Sequence, residues 1–478
     1  MKMDRRTFAR SLALAAGAVA LPSWVTRADA AGLGVNRVTR IRTFYPPNYD
    51  RNGPQAFPQS NMLVFVDTEA GITGVGQGGS PDTVRNMARS VIGKNAFETE
   101  FIWQHAFMDG FYSPGKERLH ALGAIDLALW DIKGKALNAP LYQLFGGRVR
   151  QHIELYATNG VPPGLLPQAD LQRMSLTERA AATMAAGYRV FRVDSAIRPT
   201  VPGAARGGAP AGAPPAGARG GPPAGGRGGP PAGGRGAAGA GPNANNGPIG
   251  VGGSRGTFNS RSRIRQIAEA AAQIREGVGP DGDWMIDLHQ SFDLHEAAEL
   301  CRLLEPMRPF CVEDPIREEQ FRAQIPKLRQ LTTVPLAPGE EWGTRADFSP
   351  LVEQRDIDFA RVSLPNVGGI TEMLKIMALC DTHKVGIVPH FTSPIATAAH
   401  MHTMIAFPGQ VLMEFNLHDR PVAYAPELVE FRNGKVWPND RPGLGVTIDE
   451  KQLTFVEEMT QGAPGPTYLR PDGSPTHW

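Results

Sequence analysis

Eight short apolar runs recur between residues 151 and 418, each closing on a polar residue: "HIELYATN", "YRVFRVD", "WMIDLH", "FCVEDP", "VPLAPGE", "DFARVSL", "VGIVPHF" and "VLMEFN". A strand covered by helices on both faces reads as a near-continuous apolar segment, where a half-exposed strand would alternate. Helical stretches follow the runs. Eight strands of this kind predict an α/β fold in which a parallel sheet closes into a (β/α)8 barrel of the TIM type.

The barrel is flanked on both sides. In residues 31–150, "MLVFVDTEAGITGVG" gives two β-rich runs around a Glu-Ala-Gly turn, the pattern of an antiparallel hairpin. Further on, "ERLHALGAIDLALWDIKGKALNAPLYQLFGG" places Leu122, Ile125, Leu129, Ile132 and Ala136 at three- and four-residue spacing, which predicts a helix with one apolar stripe ending before Pro140. This region therefore reads as a hairpin followed by helices. Residues 419–478 return to loops and one short helix, expected to pack on that region.

Two segments do not belong to the folded body. In residues 1–30, Lys2, Arg5 and Arg6 precede a short apolar run from Leu12 to Leu21, and Ala28-Asp29-Ala30 fits a small-residue cleavage site. The apolar run is far short of the roughly 20 residues that span a bilayer. "DRRTFAR" resembles a twin-arginine export signal, so the expectation is handling by that export machinery, a periplasmic or secreted location and no stable membrane insertion. The second segment, residues 201–257, repeats RGGPPAGG between the second and third apolar runs; its Gly and Pro content predicts a disordered insert in the loop after strand two.

The formal charge of +2 is set by these two segments. Without the five arginines of the insert and the basic excess of the N-terminal segment, the remaining chain carries about −6. That argues against a nucleic-acid footprint. Three cysteines, Cys301, Cys311 and Cys380, lack metal-ligand spacing and are too few for a disulfide framework. Cys311 and Cys380 lie in apolar runs and read as small core residues.

Asp287, Glu313 and Glu340 each fall at the carboxyl end of an apolar run, 26 and 27 residues apart. That is about one βα unit of a barrel that spends roughly 250 residues on eight units. Strand-end acids on consecutive strands converge on one point, where like charges raise one another's pKa unless a cation lies among them. An all-oxygen set suits a hard cation such as Mg²⁺. His289 lies two residues beyond Asp287 on the same strand, so its side chain shares that face.

Taken together, "AIDLALWDIKGKALNAPLYQLFGG", Asp287, "VEDP" at Glu313, "PGE" at Glu340, "GGIT" at Gly368 and "PH" at His390 resemble the enolase superfamily in its mandelate racemase and muconate lactonizing branch. Within it, "GYRVFRVDS", "DLH", "EFN", "RPGLGVTID" and "PDGSPTHW" are similar to the mannonate dehydratase group of sugar-acid dehydratases. The resemblance implies an α+β capping domain completed by the C-terminal segment, one Mg²⁺ per subunit on Asp287, Glu313 and Glu340, and a symmetric homo-oligomer. It also implies a small hydroxy-acid substrate, an aldonate such as mannonate or gluconate, from which an α-proton and then water are removed to give a 2-keto-3-deoxy acid.

On this resemblance His289 helps the β-hydroxyl leave, His390 is a base or substrate partner, and Glu414, Asn159 and Asp194 bind substrate. Arg192 stands where racemases of the superfamily carry a Lys-x-Lys pair; a guanidinium stays protonated, so its expected part is to orient a carboxylate or an adjacent base. Three features differ from the relatives: "RVSLPNVGG" has no acid to pair with His390, the insert has no Tyr to pair with Arg192, and Ala157 replaces a His near the end of strand one. Two alternatives share the scaffold. One is a racemase or epimerase using Arg192, Asp194 and His390 on opposite faces; the other is an inactive relative that binds without turnover.

Overall fold

The computed structural model describes residues 36–49, 62–109, 115–158, 160–162, 164–199, 259–317, 322–390, 393–415, 422–463 and 468–476. Residues 1–30, read from the sequence as an export signal, the insert of residues 201–257 and Asn159 lie outside the described residues.

The capping domain opens with strands β1 (Val38–Tyr45), β2 (Leu63–Thr68) and β3 (Thr73–Gln77), followed by helices α1 (Pro81–Val91), α2 (Thr99–Met108) and α3 (Lys116–Ala136). β2 and β3 form the expected hairpin, with Leu63 opposite Gln77 and Asp67 opposite Thr73. Ser80 and Thr83 start α1 with a reciprocal capping box and Pro81 in its first turn, which satisfies amide groups that have no intrahelical partner.

The single apolar stripe expected of α3 is too narrow. Gly123, Ala124, Asp126 and Asp131 are buried together with Leu122, Ile125, Leu129 and Ile132, because the helix is sandwiched between the capping sheet and the barrel. On the sheet side the approach is so close that a Cβ at Gly76 would stand 1.8 Å from the carbonyl oxygen of Ala124, and only glycine fits there.

All eight apolar runs contain barrel strands: β4 (Ile153–Ala157), β5 (Val190–Asp194), β6 (Asp283–Asp287), β7 (Cys311–Glu313), β8 (Leu336–Ala337), β9 (Phe359–Ala360), β10 (Gly386–Ile387) and β11 (Met413–Phe415). Parallel ladders join β5 through β8, β9 with β10, and β11 with β4. Single backbone bonds bridge β8 to β9, from Asp358 to Leu336 at 3.1 Å, and β10 to β11, from Ile387 to Gln410 at 2.9 Å, and β5 lies beside β4. The barrel interior is filled by Tyr156, Val190, Met285, Cys311, Ala337, Phe359, Val388 and Leu412, so it is a packed core with its working face at the strand ends. Cys301, Cys311 and Cys380 are buried free thiols.

The C-terminal segment divides its attachment. Strand β12 (Glu430–Arg432) and β13 (Lys435–Trp437) form a hairpin that pairs with β4 of the barrel, whereas β14 (Thr454–Met459) pairs antiparallel with β1 and gives the capping sheet the order β14-β1-β2-β3. The short helix expected here is a single 3-10 turn, Glu450–Gln452. Among the described residues no helix is long and apolar enough to cross a membrane.

Cap and barrel are joined through α3. Thr371 donates its backbone N–H to Asp126 at 2.9 Å and its hydroxyl to the same carboxylate, so the capping domain supplies the N-terminal cap of the barrel helix Ile370–His383. Trp103 Nε1 donates to the Gly368 carbonyl at 2.8 Å. A Cβ at Gly369 would meet Asp126 Oδ2 at 2.5 Å, so the paired glycines let the two domains close on each other.

Candidate active site

Parallel pairing places Asp287 directly beside Glu313 in register. Glu340 is not on a strand: β8 ends at Ala337, and Glu340 follows in a turn behind Gly339, whose φ is 121°. The three acids still converge, with one oxygen from each lying within 4.8 Å of the others. Asp287 and Glu313 are fully buried, and Glu340 is one-fifth exposed at the mouth.

Two arginines cross this cluster. Arg192, buried on β5, donates from Nη2 to Asp287 Oδ2 and from Nη1 to the Thr158 carbonyl, and its Nε lies 3.8 Å from Glu313 Oε2. Its carboxylate-orienting part is therefore directed at a member of the acid cluster. Arg361, fully buried beyond β9, places Nε 2.5 Å from Glu313 Oε1, pairs through Nη2 with Glu414, and donates to Tyr156 Oη at 2.7 Å and to the Pro389 carbonyl at 2.9 Å. Arg361 was missed from the sequence. Its signal was present, since a charged residue inside the apolar run "DFARVSL" needs buried partners.

Could these residues hold a cation? Asp287, Glu313, Glu340 and Glu414 bring four carboxylates, and Arg192, Arg361 and the imidazolium of His289 bring three cations against them. One negative charge is left over, and a divalent ion together with a substrate carboxylate would close the balance. Burial pushes the Glu313 carboxyl up to about 8, with Arg361 pulling the other way and Asp287 adding to the rise. Neither Glu313 oxygen accepts a hydrogen bond of normal geometry, which leaves lone pairs for a metal. Hard oxygen donors, excess charge and open lone pairs all suit Mg²⁺.

The two histidines differ. The strand ends at Asp287, so His289 does not reach the site by strand alternation. Instead His289 and Gln290 take left-handed φ values of 46° and 55°; the His289 backbone N–H donates to Asp287 Oδ1 at 2.7 Å, and its ring Nε2 lies 2.7 Å from Asp287 Oδ2. Its side chain is 51% exposed, facing the mouth. Partial burial opposes protonation there, but Asp287 overrides it and lifts His289 to about 9. His390 donates its backbone N–H to Val362 at 2.9 Å, extending the ladder beyond β10, and its Nε2 lies 3.6 Å from Glu340 Oε2. Burial lowers its pKa and favours the neutral ring, with Glu340 acting in the opposite direction.

Glu414 is brought to the network by Arg361 rather than standing free at the mouth. Asp194 is in register beside Asp287, yet its carboxylate turns back to accept the Ala196 N–H at 2.7 Å. Tyr156, also absent from the sequence reading, lies buried at the base of the site with its hydroxyl on Arg361.

A barrel with an α+β cap and three carboxylates converging beyond consecutive strands has the layout of an enzyme, with acids whose arrangement fits a divalent cation. Residues 55–146 match the mandelate racemase / muconate lactonizing enzyme N-terminal domain, and residues 248–452 match the enolase C-terminal domain-like family. A D-mannonate dehydratase of Caulobacter vibrioides is 31% identical over 82% of this chain and 90% of its own length. A D-galactonate dehydratase of Xanthomonas oryzae pv. oryzae is 29% identical over 92% of this chain and 100% of its own. A similar fold is found in an enolase from Pantoea ananatis solved with bound D-gluconate and Mg, with a TM-score of 0.66 at 24% identity, covering 87% of this chain and 93% of that one. The chain belongs to the enolase superfamily, in its mandelate racemase and muconate lactonizing branch.

Proposed function

We propose that the chain is an exported sugar-acid dehydratase that converts an aldonate to a 2-keto-3-deoxy acid, with Mg²⁺ held by Asp287, Glu313 and Glu340. The observation that carries this reading is the convergence of the three carboxylates within 4.8 Å at the mouth of the barrel. The names of the mannonate and galactonate dehydratases among its relatives support an aldonate substrate. The twin-arginine pattern of residues 1–30 supports export. When bound, the cation supplies positive charge to the substrate carboxylate as the α-proton leaves.

The side chains divide the proton work between them. His390, on the β10 side and held neutral by burial, accepts the α-proton as the C–H bond breaks and the C–C double bond forms. His289, on the β6 side and exposed to the mouth, donates its proton as the β-C–O bond breaks, and the hydroxyl leaves as water. The enol product then ketonises, and exchange with solvent resets both rings. β6 and β10 are the third and seventh strands of eight, so acid and base face each other across the barrel. Two imidazoles pushed in opposite directions by their surroundings are a general mark of an acid and base pair. Arg192 holds Asp287 in place; with its guanidinium locked between Asp287 and Thr158, it does not favour an isomerase that uses Arg192 as a base.

The test is a panel of aldonates and aldarates incubated with the purified protein and Mg²⁺, assayed for 2-keto acid. Turnover of at least one aldonate is expected. Exchange of the α-hydrogen with D₂O but no loss of water, on every acid that reacts, would replace the dehydratase by an isomerase.

A further inference from the structure

Glu340 differs from its two fellow ligands in how its backbone is held. Asp287 and Glu313 are fixed by the ladder, whereas Glu340 lies in the turn beyond β8. Its carbonyl accepts a hydrogen bond from Asn366 Nδ2 at 2.6 Å. Asn366 lies in the single helical turn Leu364–Val367 that follows β9, and its Oδ1 is 2.6 Å from Nε2 of His120, a residue of α3 in the capping domain.

The direction of this relay follows from the groups present. Only the Nδ2 end of the Asn366 amide can donate to a carbonyl, so Oδ1 must face His120, and His120 must donate from Nε2. Burial lowers the His120 pKa and favours a neutral ring, and Nδ1 is buried without a hydrogen-bond partner, consistent with the proton residing on Nε2. If His120 were removed, the buried amide would lose the partner that fixes its orientation.

We propose that His120 is a positioning residue that sets the metal ligand Glu340 through Asn366, so that docking of the capping domain tunes cation affinity at the barrel mouth. The inference rests on the metal reading given above. The same segment is gripped at Gly368 by Trp103, but that bond ends there and does not lead to Glu340.

The experiment is calorimetric titration of metal-free, full-length protein with MgCl₂. His120→Ala is expected to raise the Mg²⁺ dissociation constant about tenfold, the lower end of what outer partners of metal ligands contribute. His120→Gln, whose amide can donate to Asn366, should recover most of that loss. Trp103→Phe should lower the unfolding temperature but leave Mg²⁺ affinity within about twofold. Wild-type affinity in a folded His120→Ala protein would overturn the proposal, as would equal weakening by Trp103→Phe, which would make the effect one of general docking. If His120→Ala does not fold, Asn366→Ala tests the link from its other end, and unchanged binding there overturns it. Wild-type protein that binds no more Mg²⁺ than Asp287→Ala would remove the metal reading itself, and this proposal with it.

Discussion

Two of the regions that bury carboxylates, the seam between cap and barrel and the mouth of the barrel, neutralise them differently. At the seam, Asp126 accepts the backbone and hydroxyl donors of Thr371, while Asp131 accepts the N–H groups of Val75 and Leu444 and pairs with Lys135 at 2.7 Å. These acids are surrounded by donors that the fold itself provides. At the mouth, Asp287 and Glu313 stand next to each other and share two arginines with Glu414. The negative charge there exceeds what the protein supplies against it, and that excess, rather than burial alone, separates a binding site from a structural joint.

The largest effect expected from breaking this contrast is at the mouth. Asp287→Ala should abolish calorimetric Mg²⁺ binding and lower kcat/KM by about three orders of magnitude or more. Glu313→Gln should likewise lose the ion, as read by the same titration. Next in size, His289→Asn and His390→Asn should each reduce kcat by about 10²- to 10⁴-fold with Mg²⁺ binding retained, measured by steady-state assay and titration.

The seam should answer in stability. Burial pushes the Asp126 carboxyl up to about 7, with Thr371 opposing the rise. In the native state it therefore keeps its proton longer than in the unfolded chain, so its favourable contribution is complete below the ordinary carboxylate range and is lost as pH rises through about 7. Denaturant unfolding between pH 5 and 8 should show stability falling with pH by on the order of a few kcal/mol from this group, and Asp126→Asn should flatten that part of the profile. The smallest effect is expected from replacing residues 201–257 with a short loop. The melting temperature and Mg²⁺ affinity should stay close to wild type, and a collapse of either would show that the insert belongs to the mouth.

Much of the fold was legible because of how parallel strands are buried. Each of the eight apolar runs contains a barrel strand, and the spacing of Asp287, Glu313 and Glu340 at about one βα unit anticipated their convergence. The α3 stripe was read too narrowly, since periodicity identifies the face turned to one layer and this helix has a layer on each side. Strand alternation does not carry His289 to Asp287, because the strand ends there and a left-handed backbone turns the ring back onto the carboxylate.

The sequence by itself determined the barrel, its cap and the three acids, because hydrophobic period and βα spacing are local properties that recur along the chain. Only the tertiary structure decided the electrostatics. Arg361 joins Glu313 and Glu414 from different strands, Asp126 caps a helix 245 residues away, and His120 reaches Glu340 through Asn366. The energy of a buried charge depends on which groups surround it after the chain has closed, and no local pattern in the sequence records that set of neighbours.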